Sequence, residues 1–134
     1  MAHFLQRAGR NFVVFEKNDI PGSFFQKYPR HRTLISVNKR HTGALNKEFN
    51  LRHDWNSLLS DDENLLFTRY TKKYFPPADE FLKYIKDLQE KLGIPVQFNT
   101  EISNITNYKS NDEDDLKNCR TTMQDQHGNS YCCQ

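Results

Sequence analysis

Apolar residues recur at three- and four-residue intervals at Phe81, Leu82, Ile85, Leu88 and Leu92, the spacing that turns one side of an α-helix toward a core. Pro76 and Pro77 stand just ahead of that stretch, Gly93 follows it and Pro95 prevents its continuation, so start and stop are both written locally. A shorter piece of the same period, Phe4, Leu5 and Ala8 with Gly9 behind it, predicts the end of a helix over 2–8. Directly after it comes NFVVFE, Asn11 to Glu16, a β-branched and aromatic run that suits a strand covered on both faces in a parallel sheet. Val96 and Phe98, then Ile102 and Ile105, alternate over 96–106 and predict a strand that bends and continues into a second sheet. Helix followed by strand thus occurs twice, each time half of a βαβ unit.

Between Lys17 and Ser57 the chain carries Pro21, Gly22, Pro29 and Gly43 among aromatic and basic residues, with no sustained helical period. Leu34 to Val37 reads as an extended piece within it, and Trp55 to Leu59 as the opening of a short helix. So long an irregular stretch inside a compact domain is usually functional or supported by a ligand. Asn111 to Asp115 is an acidic, solvated loop. Asn118 to Gln124 and Ser130 to Gln134 flank Asp125-Gln126-His127-Gly128, whose Gly suits the left-handed position of a hairpin turn. The expected fold class is α/β, a Rossmann-like part with a parallel sheet plus a C-terminal β-hairpin.

A chain of 134 residues has room for one domain and one core, whereas an enzyme with two dinucleotide domains needs several hundred residues. With 27% charged residues and a net charge of +2, neither a nucleic-acid scaffold nor a polybasic membrane anchor is favoured. No stretch approaches the roughly 20 apolar residues of a transmembrane helix, and the N-terminus lacks the order of a secretory signal. His3, His31, His41, His53 and His127 have no partner at metalloprotease spacing, and Cys119, Cys132 and Cys133 form no CxxC pair, so no metal site is expected. Cys132 and Cys133 would point to opposite faces of a strand. A hairpin brings Cys119 across from one of them, and an oxidising compartment would permit a bridge.

Glu16 ends the predicted strand, where dinucleotide-binding folds place an acid that accepts hydrogen bonds from ribose hydroxyls. An ordinary exposed acid satisfies the same pattern, and no G-x-G-x-x-G stands beside it. Arg30, His31 and Arg32 form a basic cluster suited to phosphate or an acidic partner, or to a plain exposed loop. His53 and Asp54 beside Trp55 have no nucleophile motif near them, so no triad is read there. Tyr70, Tyr74 and Phe75 interleave with Arg69, Lys72 and Lys73, a pattern known from single-strand nucleic-acid binders; with so small a net charge, helix packing and a solvated rim explain it better.

Glu16 is followed by Ile20-Pro21-Gly22-Ser23-Phe24, and this arrangement resembles the E…G-G-x-W segment of the flavin-containing monooxygenase superfamily, with Pro21 for the first Gly and Phe24 for the Trp. Tyr28-Pro29 and Leu34-Ile35-Ser36-Val37-Asn38-Lys39 are similar to that superfamily's stretch ending in Thr-Asn-x-x-Lys. Tyr74-Phe75-Pro76, the amphipathic helix, and Phe98-Asn99-Thr100-Glu101-Ile102 follow its order of helix and strand. The resemblance implies an FAD site formed by Glu16, Lys17, Gly22, Ser23, Phe24, Asn38 and Ile102. It places Asn38 beside the reactive edge of the isoalloxazine as the catalytic position, and backbone beside Ile102 near the adenine.

The strings FLQRAGRNFVVFE, PGSFF, YPRHR and FNLRHDWNSLL further resemble a luminal branch of that superfamily. That resemblance implies a protein of the endoplasmic reticulum lumen which uses FAD with NADPH or NADH and acts with the degradation machinery on misfolded glycoproteins. On this reading residues 1–134 are a partial FAD-binding domain lacking the first strand and the glycine-rich loop. The loop's backbone N–H groups and helix N-terminus would meet the pyrophosphate charges, so the expectation for the chain alone is poor FAD binding, with Phe24 and Trp55 holding a flavin weakly. The rival is a non-catalytic interaction module from a truncated product. A simpler NAD-binding oxidoreductase also places an acid after its second strand, but the long aromatic excursion after Glu16 suits a bulkier flavin.

Overall fold

The computed structural model describes residues 1–35, 62–108 and 119–133. They fall into two compact units, Met1–Val13 with Ile20–Pro95, and Val14–Asp19 with Val96–Gln134.

In the first unit, helix α1 spans Ala2–Arg7 and is followed by Gly9 at φ +64°. A single helical turn, α2, covers Phe24–Lys27, two 3-10 turns cover Glu63–Leu65 and Phe67–Arg69, and the long helix α3 runs Ala78–Lys91. Asp79 and Glu80 lie in the first turn of α3 and Lys91 in its last, each charge opposing the partial charge of its helix end. At the C-terminus Gly93, at φ +60°, lets the Gly93 N–H reach the Glu90 carbonyl and the Ile94 N–H reach the Gln89 carbonyl, each at 3.1 Å. That pair of bonds is a Schellman closure. The Gln6 amide donates to the Gly93 carbonyl at 3.4 Å, tying α1 to the same end.

The core of this unit is Leu34, Phe67, Ala78, Phe81 and Tyr84, with Phe25, Tyr70, Ile85 and Leu88 packed against it. The predicted periodicity therefore marks the inward face of α3, with one amendment: Tyr84 is fully buried whereas Leu82 is only half-buried. A tyrosine contributes a large apolar ring here, and Phe67 and Phe81 pack their rings near it at 5.3 and 6.0 Å. The start of α3 is pinned by the strand-like segment 32–34, since Ala78 N–H donates to Arg32 O at 2.9 Å and Leu34 N–H to Pro76 O at 2.8 Å.

In the second unit, β1 (Val14–Phe15) pairs in parallel with β2 (Val96–Gln97), Val14 opposite Val96 and Phe15 opposite Gln97. The pairing continues past the strand ends, with Glu16 N–H donating to Gln97 O at 3.0 Å and Thr100 N–H to Glu16 O at 2.9 Å. Asn99, at φ +54°, breaks the run before β3 (Ile102–Asn107), as the predicted bend requires. An antiparallel sheet of order β3-β4-β5 follows, with β4 at Thr121–Asp125 and β5 at Ser130–Cys133. The predicted hairpin is present. The expectation of a doubly covered strand over 11–16 needs correction: only Val14 and Phe15 join a ladder, and Val13 and Val14 are exposed. Among the described residues β1 has β2 as its one paired strand.

The hairpin turn is organised by Asp125. Its carboxylate accepts from the backbone N–H groups of His127 and Asn129, each at 2.9 Å, from the Asn129 amide at 2.8 Å and from the Tyr131 hydroxyl at 3.0 Å. Asn129's side chain first, then these backbone groups and Tyr131, outweigh burial and hold the carboxyl down at about 2. Cys119 and Cys132 form a disulfide with Cα atoms 5.5 Å apart, which decides between the two pairings left open by the hairpin, and the Cys133 thiol is exposed.

Candidate functional site

The residues assigned to cofactor binding divide between the two units. In the second, Glu16 stands at the carboxyl end of β1 in a parallel pair, the end of the strands at which α/β sheets bind ligands. Its Oε1 accepts the Asn18 N–H at 2.9 Å and the Asn18 side-chain amide at 3.5 Å, while its backbone is bonded to Gln97 and Thr100. Glu16, half-buried as a residue, is therefore fixed at both backbone and side chain. A carboxylate offers about four acceptor positions, so this arrangement suits a vicinal diol. Lys17 bonds to Glu101 at 2.6 Å, with both side chains at least half exposed. Such an exposed pair adds little stability.

Ile102 opens β3 and is half-buried. The N–H just before it, that of Glu101, donates to Gln126 Oε1 at 2.7 Å, and Gln126 Nε2 donates to Asn99 O at 2.6 Å. One glutamine from the hairpin turn thereby braces the connection between β2 and β3. Gln97 Nε2 donates to the Tyr131 hydroxyl at 3.1 Å, and the Phe15 and Tyr131 rings meet edge to face at 4.7 Å. These contacts hold the strand that carries Glu16 against the antiparallel sheet.

In the first unit Gly22 has φ +69°, and a Cβ on it would lie 2.8 Å from Ile85 Cδ1. Both the left-handed backbone and the close approach to α3 call for glycine. Ser23 follows at the N-terminal boundary of α2. Phe24 is 63% exposed, stacks on Tyr28 at 5.2 Å with 25° between the planes, and meets Phe25 edge to face at 5.3 Å. Phe25 in turn packs on Phe81 at 4.8 Å. An aromatic series thus runs from the core to an exposed ring, a surface suited to a flat heterocycle.

Asn38, Trp55, His53 and Asp54 lie outside the described residues. The basic cluster separates: the Arg32 guanidinium donates to the carbonyls of Phe25 and Gln26 and pairs with Asp79, and His31 accepts the Thr33 N–H at 3.3 Å. Arg32 at φ +58° joins α2 to α3 and is a structural residue. Tyr70 packs on Tyr84 and donates to Asp87 at 2.8 Å; burial first, and then Asp87, raise its hydroxyl above the usual tyrosine range. Tyr74 and Phe75 remain exposed. Sequence reasoning passed over Asn18, Gln126 and Tyr28. Only Tyr28 carries a local signal, its four-residue spacing from Phe24. Among the described residues no cluster of three or more His, Cys, Asp or Glu is placed to hold a metal, and no helix is long and apolar enough to cross a membrane.

An acid at the carboxyl end of a strand in a parallel pair is the arrangement that dinucleotide-binding folds use, and the family comparison gives the class: an oxidoreductase. The pyridine nucleotide-disulphide oxidoreductase family model matches residues 1–124, and the chain belongs to that family. FAD-dependent oxidoreductase domain-containing protein 2 of Mus musculus is 59% identical over 106 residues, 79% of this chain. The protein of that name from Danio rerio is 47% identical over 133 residues, 99% of this chain. The chain spans only 16% and 19% of the lengths of these relatives. Among solved structures, an oxidized steroid monooxygenase bound to NADP shares the fold with a TM-score of 0.63 at 15% identity, over 96% of this chain and 21% of that one. A bacillithiol disulfide reductase from Bacillus cereus aligns with a TM-score of 0.56 at 16% identity, over 97% of this chain and 31% of that one.

Proposed function

We propose that these residues form the ribose-holding and flavin-facing part of the FAD-binding domain of an FAD-dependent, flavin-monooxygenase-like oxidoreductase, whose phosphate loop and NADPH or NADH site lie elsewhere in the whole protein. The observation that carries this reading is Glu16, fixed by Asn18 at the carboxyl end of β1. Its carboxylate accepts the hydroxyls of the adenosine ribose. Phe24, supported by Tyr28 and Phe25, shields one side of the flavin from water. Asn38 is assigned beside the ring's reactive edge, and Lys17, Gly22, Ser23 and Ile102 line the remaining contacts. FAD, when bound, supplies two-electron exchange with a reduced nicotinamide.

The luminal half of the proposal is that the whole protein works in the endoplasmic reticulum, in the degradation of misfolded glycoproteins and with that compartment's degradation machinery. The Cys119–Cys132 disulfide supports it, because such bonds persist in oxidising compartments. A non-catalytic interaction module is the second reading, favoured by the exposed Ile35, Tyr74 and Phe75. Flavin content separates the two. On the first reading the chain occurs in its source as part of a full-length protein that carries near-stoichiometric FAD, lowered by Glu16→Ala; on the second it occurs as a short, truncated product that carries none. Protease protection of the protein in sealed microsomes tests the compartment.

A further inference from the structure

Strand β3 is an edge strand: β4 pairs with one side of it, and no strand among the described residues pairs with the other. The β3–β4 register shifts between Ser103 and Thr106, and of the two residues at this irregularity, Asn104 and Ile105, Asn104 is exposed and at φ +50°. Asn104-Ile105-Thr106 is an N-x-T triplet, and no other asparagine of the 134 residues begins an N-x-S or N-x-T triplet. Such a triplet is the acceptor of N-linked glycans when it is displayed on the surface of a protein in the secretory pathway. Here the display is present, since Ile105 is 65% exposed. The Asn104 amide nitrogen is 3.3 Å from Gln124 Oε1, and a glycosylated amide keeps one N–H with which to maintain that bond.

We propose that Asn104 is an N-glycosylation site and that its glycan covers the open edge of the antiparallel sheet. An exposed strand edge is a template for pairing with another chain, and a bulky hydrophilic group on its bulge blocks that pairing. In the transfer, Asn104 Nδ2 forms a bond to C1 of the first sugar of a lipid-diphosphate-linked oligosaccharide. The bond from C1 to the diphosphate oxygen breaks, the diphosphate leaves with that electron pair, and one amide proton passes to a base. The inference rests on the luminal reading above, to which the Cys119–Cys132 disulfide of the same sheet adds independent support.

Asparagine also tolerates a left-handed φ better than most residues, so the bulge alone is a sufficient structural reason for Asn104. The triplet's third residue separates the two roles. The test is mass spectrometry of full-length protein recovered from cell membranes and treated with peptide-N-glycosidase in heavy-oxygen water. The Asn104 peptide is expected to carry heavy-oxygen aspartate. Thr106→Val is expected to abolish the label and Thr106→Ser to retain it; because the sugar is added to the nascent chain, a folding defect does not mask this readout. Alkylation of free thiols before and after reduction is read in parallel. Unlabelled Asn104 with Cys119 and Cys132 bonded overturns the glycan site and leaves the compartment standing. Unlabelled Asn104 with both thiols free overturns the two together, and a label that survives Thr106→Val overturns the site.

Discussion

Gly22→Ala is a direct probe of how the loop after Glu16 is seated on α3. Two costs follow from its geometry. A left-handed φ costs an L-residue about 1–2 kcal/mol, and Gly22 sits at +69°. The added Cβ would stand 2.8 Å from Ile85 Cδ1, so that half-buried side chain must shift, at about 1 kcal/mol for a strained repacking. Reduced freedom of the unfolded chain offsets about 0.4–1 kcal/mol. The net expectation is a destabilisation of about 2 kcal/mol. Gly128→Ala is the control, because Gly128 is at φ +81° with nothing within 4 Å of its Cβ position; it is expected to cost about 1 kcal/mol. Urea unfolding of the chain, followed by circular dichroism, measures both. Ile85→Val removes Cδ1 itself, so the cycle of Gly22→Ala with Ile85→Val is expected to show about 1 kcal/mol of favourable coupling. A Gly22→Ala variant no less stable than Gly128→Ala, or a cycle without coupling, would refute the packing argument.

Protonation should loosen the hairpin in a defined window. Asp125 is held at about 2 against an ordinary 3.8, chiefly by Asn129; a depressed carboxyl contributes stability in full above its unfolded value and loses it as pH falls through the folded one. Backbone resonances of 125–131 are therefore expected to shift between about pH 4 and pH 2, and Asp125→Asn to remove the dependence. Cys132→Ser opens a bridge of sequence separation 13, a closure that contributes about 3 kcal/mol; urea midpoints should fall, and a reductant should add nothing further to the variant. Tyr70→Phe removes the bond to Asp87 and is expected to cost about 1 kcal/mol in the same unfolding assay. An unchanged midpoint would show that water replaces that hydroxyl without loss.

The parts of the fold legible beforehand were those encoded within a few residues of themselves. α3 carries its inward face in the spacing of Phe81, Ile85 and Leu88 and its stop in Gly93. The hairpin turn carries its own in Asp125 and Gly128. β1 was overestimated because hydrophobic composition reports burial only if neighbours supply it, and Val13 and Val14 find little cover. At the candidate site, Glu16 was legible as an acid at a strand end and Gly22 only through the family resemblance, its left-handed φ and close approach to Ile85 being visible in the structure alone. The bracing by Asn18 and Gln126 was not legible, because it depends on where a turn folds back. Gln126 reaches Glu101 across 25 positions of sequence, and no periodicity records that. For Arg32 the sequence left a phosphate or acidic partner and a plain loop equally open, and its guanidinium donates within the chain to Phe25, Gln26 and Asp79.

The central claim is that Glu16 holds the ribose of FAD, and the most direct test is FAD affinity measured on apo full-length protein by quenching of flavin fluorescence. Hydrogen bonds to a charged acceptor are worth about 1.5–3 kcal/mol each, so Glu16→Ala is predicted to weaken FAD by at least about tenfold. FMN, which lacks the adenosine ribose, should bind wild type and variant equally. Lys86→Ala, which breaks only the exposed pair with Glu90 on α3, serves as the control and should leave FAD affinity within about twofold. Equal FAD affinity in wild type and Glu16→Ala would contradict the account.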